Sequence, residues 1–232
     1  MNPLTWLYYR YIFLRGDVLE RVVTALAGRP DVPTRGTWES EYEKGLWNRL
    51  YDMSEQAHNA VVLSYIAHLR PKSSILEIGC GEGTLLSRLR QIGYRTYTGL
   101  DISEFVIHRC QRFSDDKTAF RAANAESYTP STIYDVIILN ECIYYFQDPV
   151  GTIERYCRYL AKDGIFVISI FDSIRTRPIC RRLKQTLSVV DETLVSNSKG
   201  TWHCLVLQDP RLRESAAVPA PDATLSAATV SR

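Results

Sequence analysis

The sequence predicts an α/β fold, a mostly parallel sheet with helices on both faces and an antiparallel hairpin at its C-terminal end. Three observations carry that expectation. Short apolar runs alternate with helical patterns from Ser74 to Phe171, which demands parallel pairing through right-handed crossovers. The runs are apolar at nearly every position, as in Tyr134-Asp-Val-Ile-Ile-Leu139, so the strands are covered on both faces. Finally, Leu187–Val195 and Thr201–Gln208 are two strand-like runs joined by Ser196-Asn-Ser-Lys-Gly200, the pattern of a hairpin.

The elements follow in order. Gly28–Gly36 contains two prolines and two glycines without periodicity and reads as punctuation. From Trp38 to Leu69 the pattern is helical, with Leu46, Leu50 and Met53 in one stretch and Val61, Val62, Tyr65, Ile66 and Leu69 in the next, ended by Pro71. Ser74–Ile78 is a buried strand that runs into glycines, and Leu85–Leu89 opens a helix. Thr96–Leu100 is a strand ending at Asp101, Ser103 caps a helix through Arg112, and Lys117–Arg121 is a short strand. Tyr134–Leu139 is a strand, Pro149–Leu160 a helix and Gly164–Phe171 a strand. These readings divide the chain into an aromatic helix and linker (1–37), a domain with preceding helices (38–208) and a disordered tail (209–232) rich in Ala, Pro, Ser and Thr.

Composition narrows the function. Lys and Arg total 28 against 26 Asp and Glu, a formal charge of +2, which argues against a nucleic-acid partner. The hydrophobic fraction of 45% removes the disordered class. Six cysteines, Cys80, Cys110, Cys142, Cys157, Cys180 and Cys204, show no C-x-x-C and no metal-ligand spacing, so the expectation is reduced thiols in a cytoplasmic protein and no metal. Met1–Leu14 is aromatic and interrupted by Arg10. It is too short to span a bilayer and reads as packing on its own domain or across a homodimer, with an interfacial membrane helix as the alternative.

The sharpest feature is Ile75-Leu-Glu-Ile-Gly-Cys-Gly-Glu-Gly-Thr-Leu-Leu86. A buried strand enters a loop with Gly79, Gly81 and Gly83, and a helix follows. Glycines allow positive φ and close backbone approach by a ligand, and a ligand is expected beyond the carboxyl ends of parallel strands. A dinucleotide fingerprint needs glycine at its sixth position, where Thr84 stands. Asp101 ends the next strand 22 residues beyond Gly79, where a carboxylate can accept both hydroxyls of a ribose. This combination resembles the first motif and second-strand acid of class I S-adenosylmethionine-dependent methyltransferases. Asn124-Ala-Glu126, Tyr134–Phe146 and Leu160–Ser169 resemble that family's later segments in order, and the likeness covers about Trp38 to Gln208.

The resemblance implies a doubly wound, Rossmann-like seven-stranded sheet whose last hairpin supplies one antiparallel strand. It implies S-adenosylmethionine as cofactor, with Gly79, Gly81 and Gly83 against its methionine part. Glu77 would order the loop or hold the amino group through water, and Asp101 would bind the ribose. Ile102 would pack on the adenine, Ala125 and Glu126 would border its edge, and Asn140 would face the methionine end. Asn124 replaces the more usual aspartate.

Methyl transfer needs alignment above all, and a base only where the acceptor arrives protonated. Glu141 is the candidate base and Tyr144 a candidate pocket wall, against the reading that the first is solvated and the second packs. His58 is a candidate on the helix before the first strand, against a structural histidine there; His203 is read as structural, and His68 and His108 as surface residues. The loop after the fourth strand reads Asn-Glu-Cys-Ile-Tyr, without the Pro-Pro or Pro-Cys signatures of base-methylating enzymes. Trp38–Trp47 resembles a lid segment of small-molecule members. Arg175, Arg177, Arg181, Arg182 and Lys184 read as a solvated helix face or as recognition of a phosphorylated acceptor. The expected activity is methylation of an oxygen or nitrogen of a small molecule, a sugar or specialised metabolite. Alternatives are a nucleotide-dependent oxidoreductase and a non-catalytic or membrane-docked module.

Overall fold

The computed structural model describes residues 33–214. Seven strands form one sheet in the order β3-β2-β1-β4-β5-β7-β6. They are β1 (Ser74–Ile78), β2 (Thr96–Asp101), β3 (Thr118–Ala122), β4 (Tyr134–Asn140), β5 (Leu160–Phe171), β6 (Ser188–Asn197) and β7 (Gly200–Gln208). The β1–β2, β1–β4, β2–β3 and β4–β5 pairs are parallel. β7 runs antiparallel to both β5 and β6, so the expected hairpin inserts its second strand beside β5 and leaves its first at the edge.

Side chains on successive strand residues point to opposite faces, and both faces are apolar. One carries Leu76, Ile78, Ile137, Leu139, Phe166 and Ile168 against helices α5 (Pro149–Tyr156) and α6 (Thr176–Thr186). The other carries Ile75, Val136, Ile138, Val167 and Val206. It packs beneath α1 (Arg35–Glu43), α2 (Met53–Leu69), α3 (Leu86–Ile92) and α4 (Glu104–Cys110). The sheet is therefore doubly wound, as expected.

Local chemistry sets the helix ends. Thr34 accepts the Thr37 N–H at the start of α1, Ser103 accepts that of Val106 in α4, and Asp148 accepts that of Gly151 in α5, each relieving an orphan donor of the first turn. The long helical stretch expected from Trp38 to Leu69 is broken. Gly45 adopts φ +64, a 3-10 turn follows over Asn48–Tyr51, and α2 starts afresh after Asp52. The helix expected to Leu160 ends at Tyr156, a 3-10 turn covers Cys157–Tyr159, and β5 begins at Leu160 with a bulge opposite Tyr134 and Val136.

Two expected boundaries move. Arg35, Gly36 and Thr37, assigned to the linker, already belong to α1. The tail does not begin at Asp209: that residue is buried, accepts from Arg211, and precedes a short helix, α7 (Pro210–Glu214). The aromatic segment Met1–Leu14, its homodimer and membrane readings, and the remainder of the tail lie outside the described residues. Among the described residues no helix is long and apolar enough to cross a membrane.

Candidate active site

Strand order reverses between β1 and β4, and ligands in open α/β sheets sit outside the carboxyl ends at such a point. A cavity of about 900 Å³ opens there, large enough for a drug-sized ligand. Glu77, Gly79, Gly81, Asp101, Ile102, Asn124, Ala125, Glu126, Asn140, Glu141, Tyr144 and His58 all line it. Gly83 does not. Its φ is +76 and its N–H closes the turn on the Cys80 carbonyl at 2.9 Å, so its part is to shape the loop. Unlike Gly79 and Gly81, it is not on the cavity wall.

The first half of the site is backbone-built. Gly79 has φ +70, and a Cβ on it would stand 2.7 Å from that of Cys142. No side chain fits there without moving the loop after β4. Asp101, only 7% exposed, accepts the N–H of Gly81 and of Ser103 at 3.0 Å each. Burial raises its carboxyl above the ordinary range, and these amide donors oppose that rise. Glu77 is buried and accepts the Tyr97 hydroxyl at 2.6 Å. Desolvation carries its carboxyl up to about 8. On the far rim, Asn124 accepts the Glu126 N–H, while Glu126 accepts the N–H groups of Gln147 and Asp148.

The second half is built from side chains on separate elements. Glu141 follows β4 with φ +57, a conformation costly for a residue with a Cβ and concentrated at functional sites. The register pairs Asn140 with Ser169 of β5, which sets the Ser169 hydroxyl beside the Glu141 carboxyl. That hydroxyl donates to Oε1 at 3.0 Å, and Tyr144 donates to Oε2 at 3.0 Å. Ser169 Oγ also lies 3.1 Å from His58 Nδ1, whose Nε2 is 3.1 Å from Glu55. His58 is 2% exposed and stacks on Trp202 at 5.0 Å. Burial raises the Glu141 carboxyl, opposed by His58 and the two hydroxyl donors. Glu141 is thus hydrogen-bonded by two hydroxyls within the cavity wall.

Two buried polar atoms on the cavity wall have no hydrogen-bond partner among the described residues: Asn140 Oδ1, an acceptor, and Trp47 Nε1, a donor. Asn140 Nδ2 is already committed to Asn59 at 2.8 Å. Buried polar atoms are normally paired, so these two mark where a ligand would find partners. Above them lies α1. Trp38 meets Tyr145 edge-on at 4.7 Å and Trp47 at 5.4 Å, and the Tyr42 hydroxyl stands 3.0 Å from where a Gly81 Cβ would be. Arg35 and Glu39 tie α1 to Glu104 at the start of α4.

Ser169, Glu55, Asn59 and Trp202 were not singled out by sequence, and Trp47 only as the end of the lid-like segment. Glu55, His58 and Asn59 do share the stripe of α2 that continues into Val62, Leu63 and Ile66. Polar residues on a core-facing stripe were the available signal. Ser169, alone between Ile168 and Ile170 in a buried strand, was another. None of Arg175, Arg177, Arg181, Arg182 and Lys184 lines the cavity. On α6, Arg177 pairs with Asp172 and Lys184 with Glu192, which also accepts from His203. His68 and His108 are exposed.

Residues 51–212 match the profile of a family described as "Methyltransferase domain". Malonyl-[acyl-carrier protein] O-methyltransferase of Paenibacillus sp. (strain JDR-2) is 34% identical over 105 residues, covering 42% of this chain and 38% of that protein. 27-O-demethylrifamycin SV methyltransferase of Amycolatopsis mediterranei is 26% identical over 142 residues, 58% of this chain and 52% of that protein. The matches therefore span about half or less of these relatives' own length. The N-methyltransferase NodS from Bradyrhizobium japonicum WM9, solved in complex with S-adenosyl-L-homocysteine, superposes with a TM-score of 0.62 at 18% identity. That superposition covers 71% of this chain and 91% of NodS, a likeness of fold.

Proposed function

The chain belongs to the methyltransferase-domain family, whose cofactor is S-adenosylmethionine, and from that premise we propose that it methylates an oxygen or nitrogen of a small molecule. The carrying observation is the single cavity that joins a glycine loop and Asp101 at one end to Glu141, Tyr144 and His58 at the other. The residues present suit the cofactor: Asp101 offers a charged acceptor for a ribose diol, and the unpartnered Asn140 Oδ1 suits an amino group. Glu77, Gly79 and Gly81 hold the methionine end, with Gly83 shaping their loop. Ile102, Asn124, Ala125 and Glu126 frame the adenine.

When bound, S-adenosylmethionine supplies a methyl group on a sulfonium, reactive enough that the protein's task is alignment. Tyr144, Tyr145 and Trp47 wall the acceptor space, and α1 closes it against water. Glu141 takes the proton that a hydroxyl or amine loses on methylation. A sugar or specialised metabolite fits a space of this size, in a cytoplasmic setting. A phosphate on the acceptor is not part of this reading, because the α6 basic run stands away from the cavity.

The test is methyl transfer from labelled donor across a panel of metabolites with free hydroxyls and amines, alongside calorimetry with S-adenosylhomocysteine and NAD. Methylation of one acceptor with S-adenosylhomocysteine binding is expected. Tight NAD binding with no S-adenosylhomocysteine binding overturns the reading in favour of an oxidoreductase.

A further inference from the structure

We infer that Glu141, Ser169, His58 and Glu55 form one buried proton-sharing chain that removes the proton of a hydroxyl or amine acceptor. Ser169, His58 and Glu55 act in it as positioning residues for Glu141. The inference deepens the methyl-transfer reading and rests on it for the origin of the proton.

The argument is a count of donors. Three contacts link the four residues: Glu141 Oε1 to Ser169 Oγ at 3.0 Å, Ser169 Oγ to His58 Nδ1 at 3.1 Å, and His58 Nε2 to Glu55 Oε2 at 3.1 Å. With both carboxyls ionised and His58 neutral, the chain holds two hydrogens for these three contacts. The imidazole N–H sits on Nε2 facing Glu55, and the Ser169 hydroxyl satisfies either Glu141 or Nδ1, never both. One contact is left without a hydrogen, at a place where His58 and Ser169 are almost fully buried. An unmade buried hydrogen bond is costly.

A single added proton completes the set in two ways. It sits on Glu141, which donates to Ser169 while Ser169 donates to Nδ1. Alternatively it sits on Nδ1, which donates to Ser169 while Ser169 donates to the Glu141 carboxylate. The two arrangements differ by a shift of hydrogens through the serine hydroxyl, with no heavy-atom movement. In the reaction, the acceptor's lone pair forms the bond to the methyl carbon and the carbon–sulfur electrons return to sulfur. The acceptor's O–H or N–H bond then breaks toward Glu141, and the proton is shared along the chain to His58, whose imidazolium faces the Glu55 carboxylate.

The surrounding groups leave this proton where it is. From the loop of Glu141, Tyr144 and Cys142 face the carboxyl, and both are raised well above their ordinary range by burial. Cys204 of β7, beneath the His58 backbone carbonyl, and Cys180 of α6 are pushed up to about 12. Tyr145, whose neighbour is Arg49, is also raised. These groups stay neutral near pH 7. The chemistry selects the acceptor class: a hydroxyl or amine delivers the missing proton, whereas a carboxylate arrives ionised and has none to give.

The test reads the chain without needing the acceptor. ¹⁵N NMR of the full-length protein saturated with S-adenosylhomocysteine follows the His58 imidazole from pH 5 to 9, in wild type and in Glu141→Gln, Ser169→Ala and Glu55→Gln. Each variant is first shown to melt cooperatively and to bind S-adenosylhomocysteine as wild type does. In wild type, Nε2 is expected to carry hydrogen toward Glu55 in both completed arrangements, with Nδ1 either accepting from Ser169 or donating to it. Ser169→Ala and Glu141→Gln are expected to move the Nδ1 resonance and Glu55→Gln the Nε2 resonance, since each removes a partner or a link on that side of the ring. An Nδ1 resonance unmoved by Glu141→Gln, which acts on it only through Ser169, overturns the chain, even if methyl transfer is found. Should Ser169→Ala fail to fold, the two carboxyl variants decide alone. Failure of the methyl-transfer reading would instead appear as no S-adenosylhomocysteine binding in wild type.

Discussion

The two ends of the cavity are made differently. The glycine-loop end is contiguous: Glu77, Gly79 and Gly81 lie within five residues, and its geometry is backbone, set by positive φ angles and by amides pointing at Asp101. The acceptor end is dispersed: Glu55 and His58 come from α2, Glu141 from the turn after β4, Ser169 from β5 and Trp202 from β7. In the proposed reading the first end would hold a ligand by shape and fixed dipoles, and the second would handle a proton through exchangeable hydroxyl and imidazole hydrogens. A site divided in this way lets one half recognise a constant cofactor while the other is free to vary with the acceptor.

That division is testable by substitutions that should each disable one end only. The largest effect is expected from Glu141→Gln. It keeps the size and the hydrogen-bonding oxygen but cannot take a proton, so kcat should fall by roughly 10² to 10⁴, with the affinity for S-adenosylhomocysteine unchanged. Loss of that affinity in calorimetry would mean that the two ends are not separable. Asp101→Ala is the counterpart. It removes a charged acceptor and frees the Gly81 and Ser103 amides, so S-adenosylhomocysteine should bind about 10² times more weakly, from charged hydrogen bonds of roughly 1.5–3 kcal/mol each. Unchanged affinity would remove Asp101 from the cofactor half.

The same contrast explains what the sequence disclosed. Gly79, Gly81 and Asp101 were legible because a strand, a turn and the end of the next strand fix them locally, and spacing alone brings them together. The alternation of parallel strands with helices and the closing hairpin were legible from the apolar runs and the turn residues between them, but the spatial order of the strands was not. Ser169 was not, because its role depends on which residue stands opposite in the β4–β5 register. Glu55 was not, because a carboxylate in the first turn of a helix ordinarily serves the helix dipole. His58 was a candidate against a favoured structural reading, because its neighbours Ser169 and Glu55 lie on other elements or a turn away. The breaks at Gly45 and Tyr156 escaped because apolar periodicity continues across them.

A smaller effect separates Glu77 from the other carboxyls. In the folded chain it holds its proton up to about 8, against an ordinary value of 4.5. The folded state therefore binds more protons than the unfolded state across that window, and stability falls as pH rises through it. Glu77→Gln keeps an acceptor for the Tyr97 hydroxyl and removes the titration. It should flatten the decline of Tm between about pH 5 and 8 and raise Tm at the upper end. A wild-type Tm that is flat over the range would show that Glu77 is ionised in the folded protein.

The smallest effect should come from Trp38→Ala, and it sharpens the comparison because α1 touches both ends. Trp38 packs on Tyr145 beside the acceptor space, while Tyr42 one turn on approaches Gly81 in the cofactor loop. An aromatic pair contributes roughly 0.5–1.5 kcal/mol beyond its buried area, so removing Trp38 should weaken S-adenosylhomocysteine and acceptor alike, each by about tenfold or less. Hydrogen exchange should show faster opening of Arg35–Glu43, with the strands unaffected. Both ligands weakening together would make α1 a shared cover. Weakening of one alone would assign the helix to that half, and the cavity would then be two sites that only adjoin.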